Sequence, residues 1–79
     1  MASVNRYVLD ARRLLCPMPV IRVQDRVKSM APGDRLEVVC TDPGANYDIP
    51  AWCRMYGHRV VESRERDGEI VIVIEVGQG

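Results

Sequence analysis

The chain contains no phenylalanine, and its aromatic side chains are limited to Tyr7, Tyr47, Trp52 and Tyr56. Proteins that bind single-stranded nucleic acid stack bases on aromatic side chains, so this scarcity argues against such a surface. Charge gives the same indication, because eleven Lys and Arg balance eleven Asp and Glu and leave no basic excess. We therefore expect no direct binding of nucleic acid.

Long apolar segments are missing as well. The longest apolar run, residues 70–74, is bounded by Glu69 and Glu75 and is far too short to span a bilayer. The first residues have no apolar run typical of a secretory signal, and Ala2 stands where myristoylation needs glycine. These features predict a cytoplasmic protein without a membrane partner.

Motifs for metal binding and for paired redox cysteines are absent from the sequence. Cys16, Cys40 and Cys53 have no C-x-x-C spacing, which is typical of structural zinc sites and of thioredoxin-like redox pairs. Three cysteines cannot all pair within one chain, and cytosolic thiols are normally reduced. His58 is the only histidine, and nothing in the sequence places it beside Cys16 as a general base. We expect no metal and no organic cofactor.

The length of 79 residues predicts a single domain over residues 1–79, with an ordered core at about 6–76. Hydrophobic periodicity predicts strands at residues 6–11, 36–41, 59–66 and 69–76, and helices at residues 16–30 and near 49–56. Pro50 either begins the second helix or kinks a longer one that starts near Pro43. Asp67-Gly68 between the last two strands is a strong hairpin signal.

The element order β-α-β-α-β-β limits the topology. The first crossover predicts a parallel strand pair, and the closing hairpin must be antiparallel. The fold class is therefore an α/β two-layer sandwich of the α+β kind, with a mixed four-stranded sheet and both helices on one face. The helical stripes that would face the sheet are Val20, Val23, Val27 and Met30 in the first helix, and Ile49, Trp52, Cys53 and Tyr56 in the second.

The last strand is apolar on both faces, since Val71 and Val73 alternate with its isoleucines. The valine face either stays partly exposed or contacts a partner or a second copy. We expect a monomer or a weak dimer.

Cys16 is the candidate for chemistry, because it opens the segment Cys16-Pro17-Met18-Pro19 at the start of the first helix. Proline favours the first turn of a helix, so this start predicts Cys16 as the N-cap, with the Met18 N–H donating to its sulfur. The partial positive charge there should lower the pKa of the thiol below about 8.5. Cys40 and Cys53 lie in apolar stripes and are predicted to be core residues. A nucleophilic thiol without a general base suits sulfur exchange better than hydrolysis.

The zero net charge is the sum of two opposed parts. Residues 1–30 hold six basic and two acidic residues, whereas residues 31–79 hold five basic and nine acidic ones. This asymmetry predicts a basic surface around Cys16 that attracts acidic partners or anionic sulfur species. The candidate residues for it are Arg12, Arg13, Arg22 and Arg26.

These segments resemble the TusA (SirA-like) family of sulfur carriers. The resemblance rests on the C-P-x-P element at Cys16, on Leu9-Asp10-Ala11 and Leu14 before it, and on Asp42-Pro43, residues 48–53 and Gly57-His58 after it. It covers residues 8–76 and implies the same two-layer fold. By this resemblance Cys16 carries sulfane sulfur as a persulfide, with Pro17, Met18 and Pro19 as its supporting motif.

The resemblance also implies partners. The sulfur donor would be a cysteine desulfurase or a rhodanese-like protein, and the acceptor a sulfurtransferase. The destination would be tRNA 2-thiouridine, molybdenum cofactor assembly or cytoplasmic sulfur oxidation, with no independent turnover implied. The alternative is a regulatory or RNA-binding module without sulfur transfer, since a fold alone does not determine function.

One position departs from the family pattern. The pattern Asp-x-x-Gly-Leu-x-Cys has arginine here, at Arg13. If the glycine adopts a positive φ, Arg13 must either accept that strained conformation or change the path of the loop.

Overall fold

The computed structural model describes residues 5–77 as a four-stranded sheet with two helices. The elements are β1 (Arg6–Ala11), α1 (Met18–Val27), β2 (Arg35–Cys40), α2 (Ala45–Tyr56), β3 (Arg59–Arg66) and β4 (Glu69–Glu75). The four strands lie in the order β1-β2-β4-β3. β1 runs parallel to β2, while β4 is antiparallel to both β2 and β3. This confirms the predicted element order and mixed sheet.

The core fills the space between the helices and one face of the sheet. Strand register aligns Leu36 with Ile74 and Val38 with Ile72, so alternate residues of the two central strands point to the same side. These four side chains are fully buried. They form one cluster with residues of both helices, which places both helices on this face: Val23 of α1, and Ala45, Ile49, Trp52 and Cys53 of α2.

The closing hairpin turns at Asp67 and Gly68, as its sequence predicts. Both residues have positive φ, 53° and 79°. Two such residues in a two-residue loop match the right-handed twist of the flanking strands. A β-bulge between Val60 and Glu62 interrupts the register of β3 with β4.

Helix α1 is shorter at both ends than predicted. It begins at Met18 rather than Cys16 and ends at Val27 rather than Met30. At its end, Ser29 N–H donates to Arg26 O at 3.2 Å and Met30 N–H donates to Val27 O at 3.0 Å. These bonds span three residues and tighten the chain into a turn that leaves the α-helical path.

Helix α2 takes the longer of the two alternatives that Pro50 left open. It runs from Ala45 through Pro50. The helix ends at Tyr56, as predicted, and the following Gly57 adopts the left-handed conformation at φ 79°. Tyr56 is 52% exposed, so its assignment to the buried stripe was wrong. As the last residue of the helix, it reaches past the edge of the core.

The other face of the sheet has no helix over it within residues 5–77. Its apolar strip is graded, because Val73 is buried, Val39 and Val71 are half-buried and Val8 is 67% exposed. Contact of this strip with a partner or a second copy stays a prediction. Neither helix in the described part of the chain has the length and apolar character needed to cross a membrane.

Candidate functional site: the Cys16 loop

Cys16 lies in the loop between β1 and α1, and its side chain is exposed. The prediction that it caps α1 was wrong, since Pro17 occupies the N-cap and no side chain caps the helix. Met18 N–H donates to the Leu15 carbonyl at 2.8 Å and not to sulfur. The loop makes its own tight turn before the helix begins.

Two hydrogen bonds tie this loop to the segment after β2. Arg13 N–H donates to Thr41 Oγ1 at 2.8 Å, and Cys16 N–H donates to Asp42 Oδ2 at 2.9 Å. The carboxyl ends of parallel β1 and β2 meet at one edge of the sheet, so the loops that follow them are neighbours. The Asp42 carboxylate therefore fixes the backbone of Cys16.

A second carboxylate contacts the sulfur itself. Asp48, in the first turn of α2, accepts a hydrogen bond through Oδ2 from the Cys16 thiol. Gly44 lies beside both partners, since a Cβ there would be 3.3 Å from Asp42 Oδ2 and 3.7 Å from Cys16 Cβ. The structure thus brings the thiol and two carboxylates together around a residue that has no side chain.

This arrangement raises the pKa of the Cys16 thiol, where the sequence predicted a lowered pKa. The main cause is the hydrogen bond to Asp48, followed by burial and by the negative charges of Asp48 and Asp42. A full charge at contact outweighs the roughly half charge of a helix end. The helix end also offers few donors, since Pro17 and Pro19 have no N–H and the Met18 N–H is already bonded.

The other two cysteines are core residues, as predicted. Cys40 is 0% and Cys53 is 1% exposed. Burial raises the pKa of each thiol to about 11. Thiolate formation at these two positions is therefore suppressed, and Cys16 is the exposed cysteine of this chain.

An open apolar groove of about 440 Å³ runs from Cys16 between the start of α1 and the outer side of α2. Met55 is 75% exposed on its wall. Such a surface beside a polar, reactive group is typical of a contact site for a partner or a ligand. With Cys16 and Asp48, the groove is lined by Pro17, Val20, Ala51, Trp52, Met55 and Tyr56.

His58 belongs to a different part of the molecule. Its ring stacks on Trp52 with centroids 4.9 Å apart, and its Nδ1 accepts a hydrogen bond from Gly77 N–H at 2.9 Å. Burial lowers the pKa of His58. The partner of the Cys16 sulfur is Asp48 and not this imidazole. Within residues 5–77, no group of three His, Cys, Asp or Glu side chains has an arrangement that could hold a metal ion.

The candidate arginines have several different environments. Arg12 pairs with Asp10 at 2.9 Å and with Glu69 at 3.4 Å. Its guanidinium lowers the pKa of Asp10 to about 2. The Arg26 guanidinium lies over the Tyr7 ring at 5.0 Å, and Arg22 is exposed on α1. The charged groups that contact Cys16 are acidic, so the basic surface predicted around the thiol does not extend to its immediate neighbours.

Arg13, which stands where the family pattern has glycine, adopts the left-handed conformation. Its φ is 68°, which costs a residue with a Cβ about 1–2 kcal/mol. The chain thus accepts a strained conformation at this position, and the hydrogen bond from Arg13 N–H to Thr41 Oγ1 helps to hold it.

Relief of this strain is testable. We expect Arg13→Gly to raise the free energy of unfolding by about 0.5–1 kcal/mol relative to Arg13→Ala, because both variants lack the guanidinium and only glycine is unstrained at positive φ. Urea denaturation of the two variants measures the difference. Equal stability, or a more stable alanine variant, would contradict a strain of about 1–2 kcal/mol at this position.

The sequence predicted no role at this site for four residues: Thr41, Asp42, Gly44 and Asp48. Their signal was topological: residues that follow two adjacent parallel strands lie at one edge of the sheet. Applied to β1 and β2, this rule places Thr41 and Asp42 beside residues 13–16. The contact of Asp48 follows only once α2 is known to begin at Ala45.

The fold and the site together define a small α/β domain that presents one thiol at the edge of its sheet. A sequence profile described as Sulfurtransferase TusA matches residues 7–76. The chain belongs to the TusA family of sulfur carriers.

Individual relatives agree with this assignment. Sulfur carrier protein TusA of Pseudomonas paraeruginosa (strain DSM 24068 / PA7) is 44% identical over 61 residues, 77% of each chain. Putative sulfur carrier protein NMA0882 of Neisseria meningitidis serogroup A is 38% identical over 72 residues, 91% of this chain and 97% of that protein. The crystal structure of a SirA-like protein from Desulfitobacterium hafniense matches at a TM-score of 0.80 with 23% identity, over 91% of this chain and 99% of that one. That structure supports the fold.

Proposed function

We propose that this protein carries sulfane sulfur as a persulfide on Cys16 and delivers it to a protein acceptor. The observation that carries the proposal is the exposure of Cys16 in a chain of the TusA family whose other two cysteines are buried. This role is supported by a conformationally restricted segment beside the thiol at the start of α1, which consists of Pro17, Met18 and Pro19.

Loading is an exchange between sulfur atoms. The Cys16 thiolate attacks the terminal sulfur of a donor persulfide, so that a new S–S bond forms at Cys16 while the donor S–S bond breaks. The donor leaves as a thiolate and takes up a proton, and Cys16 has lost one. Delivery repeats the exchange, with the acceptor thiolate attacking the terminal sulfur. Neither step needs a net oxidant or reductant.

The open groove suits this chemistry. A carrier must present its sulfur to the active sites of two proteins, so its thiol must reach outward. Exposed apolar residues such as Met55 beside Cys16 offer surface for docking. We propose a cysteine desulfurase or rhodanese-like donor, a sulfurtransferase acceptor and a cytoplasmic site of action. The relay would lead to tRNA thiolation, molybdenum cofactor assembly or sulfur oxidation.

The direct test is incubation with a cysteine desulfurase and cysteine, followed by intact-mass measurement. We expect one added sulfur atom per chain, which a reductant removes. A parallel reaction uses a rhodanese-like donor with thiosulfate. Absence of added sulfur with both donors would contradict the proposal.

Arg22 and Arg26 remain candidates for contact with acidic groups on a partner, since both are exposed on α1. We expect the double variant Arg22→Glu and Arg26→Glu to slow sulfur loading several-fold at low salt, with the difference shrinking as salt is added. The double variant Arg64→Glu and Arg66→Glu on β3, where both side chains are exposed, is the matched control for net charge. Equal rates for the double variant and wild type would show that this face of α1 does not take part in docking.

A further inference from the structure

We propose that Asp48 restrains the unloaded carrier: its carboxylate accepts the S–H hydrogen bond of Cys16 and keeps the sulfur a poor nucleophile until a partner docks. This inference rests on the proposed function for its biological meaning. The chemical claim concerns only the thiol and its neighbour.

Geometry supports the claim independently of any titration. The sulfur of Cys16 contacts Asp48 Oδ2, and the Cys16 N–H binds Asp42 Oδ2 at 2.9 Å. Gly44 lies beside this contact, since a Cβ built on it would be 3.7 Å from Cys16 Cβ and 3.8 Å from Asp48 Oδ2, both ordinary van der Waals distances. A carboxylate can accept a hydrogen bond from a thiol but cannot donate one to a thiolate. The contact therefore favours the protonated sulfur.

The charges around the thiol act in the same direction. Asp48 faces it from α2, and Asp42 faces it from the loop after β2; the hydrogen bond to Asp48 is the largest cause of the raised Cys16 pKa. The nearest arginines in the sequence do not offset this charge. Arg12 is held by Asp10 and Glu69, and Arg13 lines a neighbouring cleft with the same two carboxylates.

Loading with sulfur moves the reactive sulfur atom away from the Asp48 carboxylate. In the persulfide, the terminal sulfur is one S–S bond of about 2 Å farther along than Sγ. Asp48 contacts Sγ, so it acts most strongly on the empty carrier. A cationic group on a docked partner could pair with Asp48 and Asp42 and release the thiol. The restraint would protect the free protein against alkylation and oxidation, which both depend on the thiolate.

The test is the pH profile of Cys16 alkylation by iodoacetamide in the whole protein, with the labelled residue identified by peptide mass spectrometry. Asp48→Asn retains an oxygen that can accept the S–H bond but removes the charge, and Asp48→Ala removes both. Removing the negative charge of Asp48, which contacts the sulfur, should lower the pKa of the Cys16 thiol by about one pH unit or more. At a pH below the thiol pKa, lowering that pKa by one pH unit raises the thiolate fraction about tenfold. The same change lowers the intrinsic nucleophilicity of the thiolate about threefold.

We therefore expect both variants to react about threefold faster than wild type at pH 7.5 and about threefold slower well above the thiol pKa. The crossing of the two profiles is a signature that a purely structural role would not give. Asp42→Asn is the matched control, since its carboxylate binds the Cys16 N–H instead of the sulfur, and we expect a clearly smaller change.

Profiles of the Asp48 variants that superimpose on wild type would overturn the inference. So would equal changes in the Asp42 and Asp48 variants, because the effect would then be general charge and not the S–H contact. Labelling of buried Cys40 or Cys53 in an Asp48 variant would also contradict the inference. It would show that the substitution opens the core, so that Asp48 serves the fold and not the thiol. The assay uses no sulfur donor, so failure here is distinguishable from failure of the loading test.

Discussion

Replacing Cys16 with serine is expected to abolish sulfur acceptance while leaving the fold intact. The hydroxyl of serine cannot take up sulfane sulfur as a persulfide. The side chain is exposed, so the substitution should change the free energy of unfolding by no more than about 0.5 kcal/mol. Intact mass after donor treatment measures the first effect, and thermal unfolding measures the second.

The matched control is Cys40→Ser. This side chain is fully buried, and a hydroxyl there without a partner should cost about 1–3 kcal/mol. The variant should nevertheless still accept one sulfur atom under conditions where it remains folded. If Cys16→Ser acquires as much sulfur as wild type, or Cys40→Ser acquires none while folded, the assignment of the persulfide to Cys16 is wrong. A regulatory or RNA-binding module would keep its biological effect in Cys16→Ser.

The largest expected effect on stability comes from the centre of the sheet. Ile72 is fully buried on β4, where it pairs with Val38 and contributes to the single core cluster. We expect Ile72→Ala to lower the free energy of unfolding by about 3–4 kcal/mol, because a cavity is left between sheet and helices. A domain this small has a total stability near the lower end of about 5–15 kcal/mol. The variant should be partly unfolded at physiological temperature.

Val8→Ala is the control for this experiment. Val8 lies on edge strand β1 with 67% of its surface exposed, so its loss should change stability by no more than about 0.5 kcal/mol. Urea denaturation followed by circular dichroism compares the two variants. Similar losses in both would show that the core does not lie between β4 and the helices.

The fold was predictable from sequence because its signals are local or follow from simple topology. Asp67-Gly68 marks a two-residue hairpin, and both residues have the positive φ that such a turn requires. Gly57 ends α2 for the same local reason. The crossover rules then leave few arrangements of four strands and two helices. Helix ends were less accurate, since the turn after Val27 depends on hydrogen bonds that periodicity does not report.

The chemical environment of Cys16 was not predictable in this way. The start of α1 is a local feature of residues 16–19, whereas the decisive contact comes from Asp48, in a different helix. Long-range contacts of this kind depend on how the loops after β1 and β2 meet the start of α2, which local sequence patterns do not report. The asymmetry in charge along the chain was real, but the groups that contact the thiol belong to its acidic part.

The assignment of the persulfide to Cys16 is tested most directly by locating the added sulfur. The protein is loaded by a cysteine desulfurase with cysteine, or by a rhodanese-like protein with thiosulfate, then alkylated, digested without reductant and analysed by tandem mass spectrometry. We expect one additional sulfur atom on the peptide that contains Cys16 and none on the peptides that contain Cys40 or Cys53. Sulfur on either buried cysteine, or on no peptide with either donor, would contradict it.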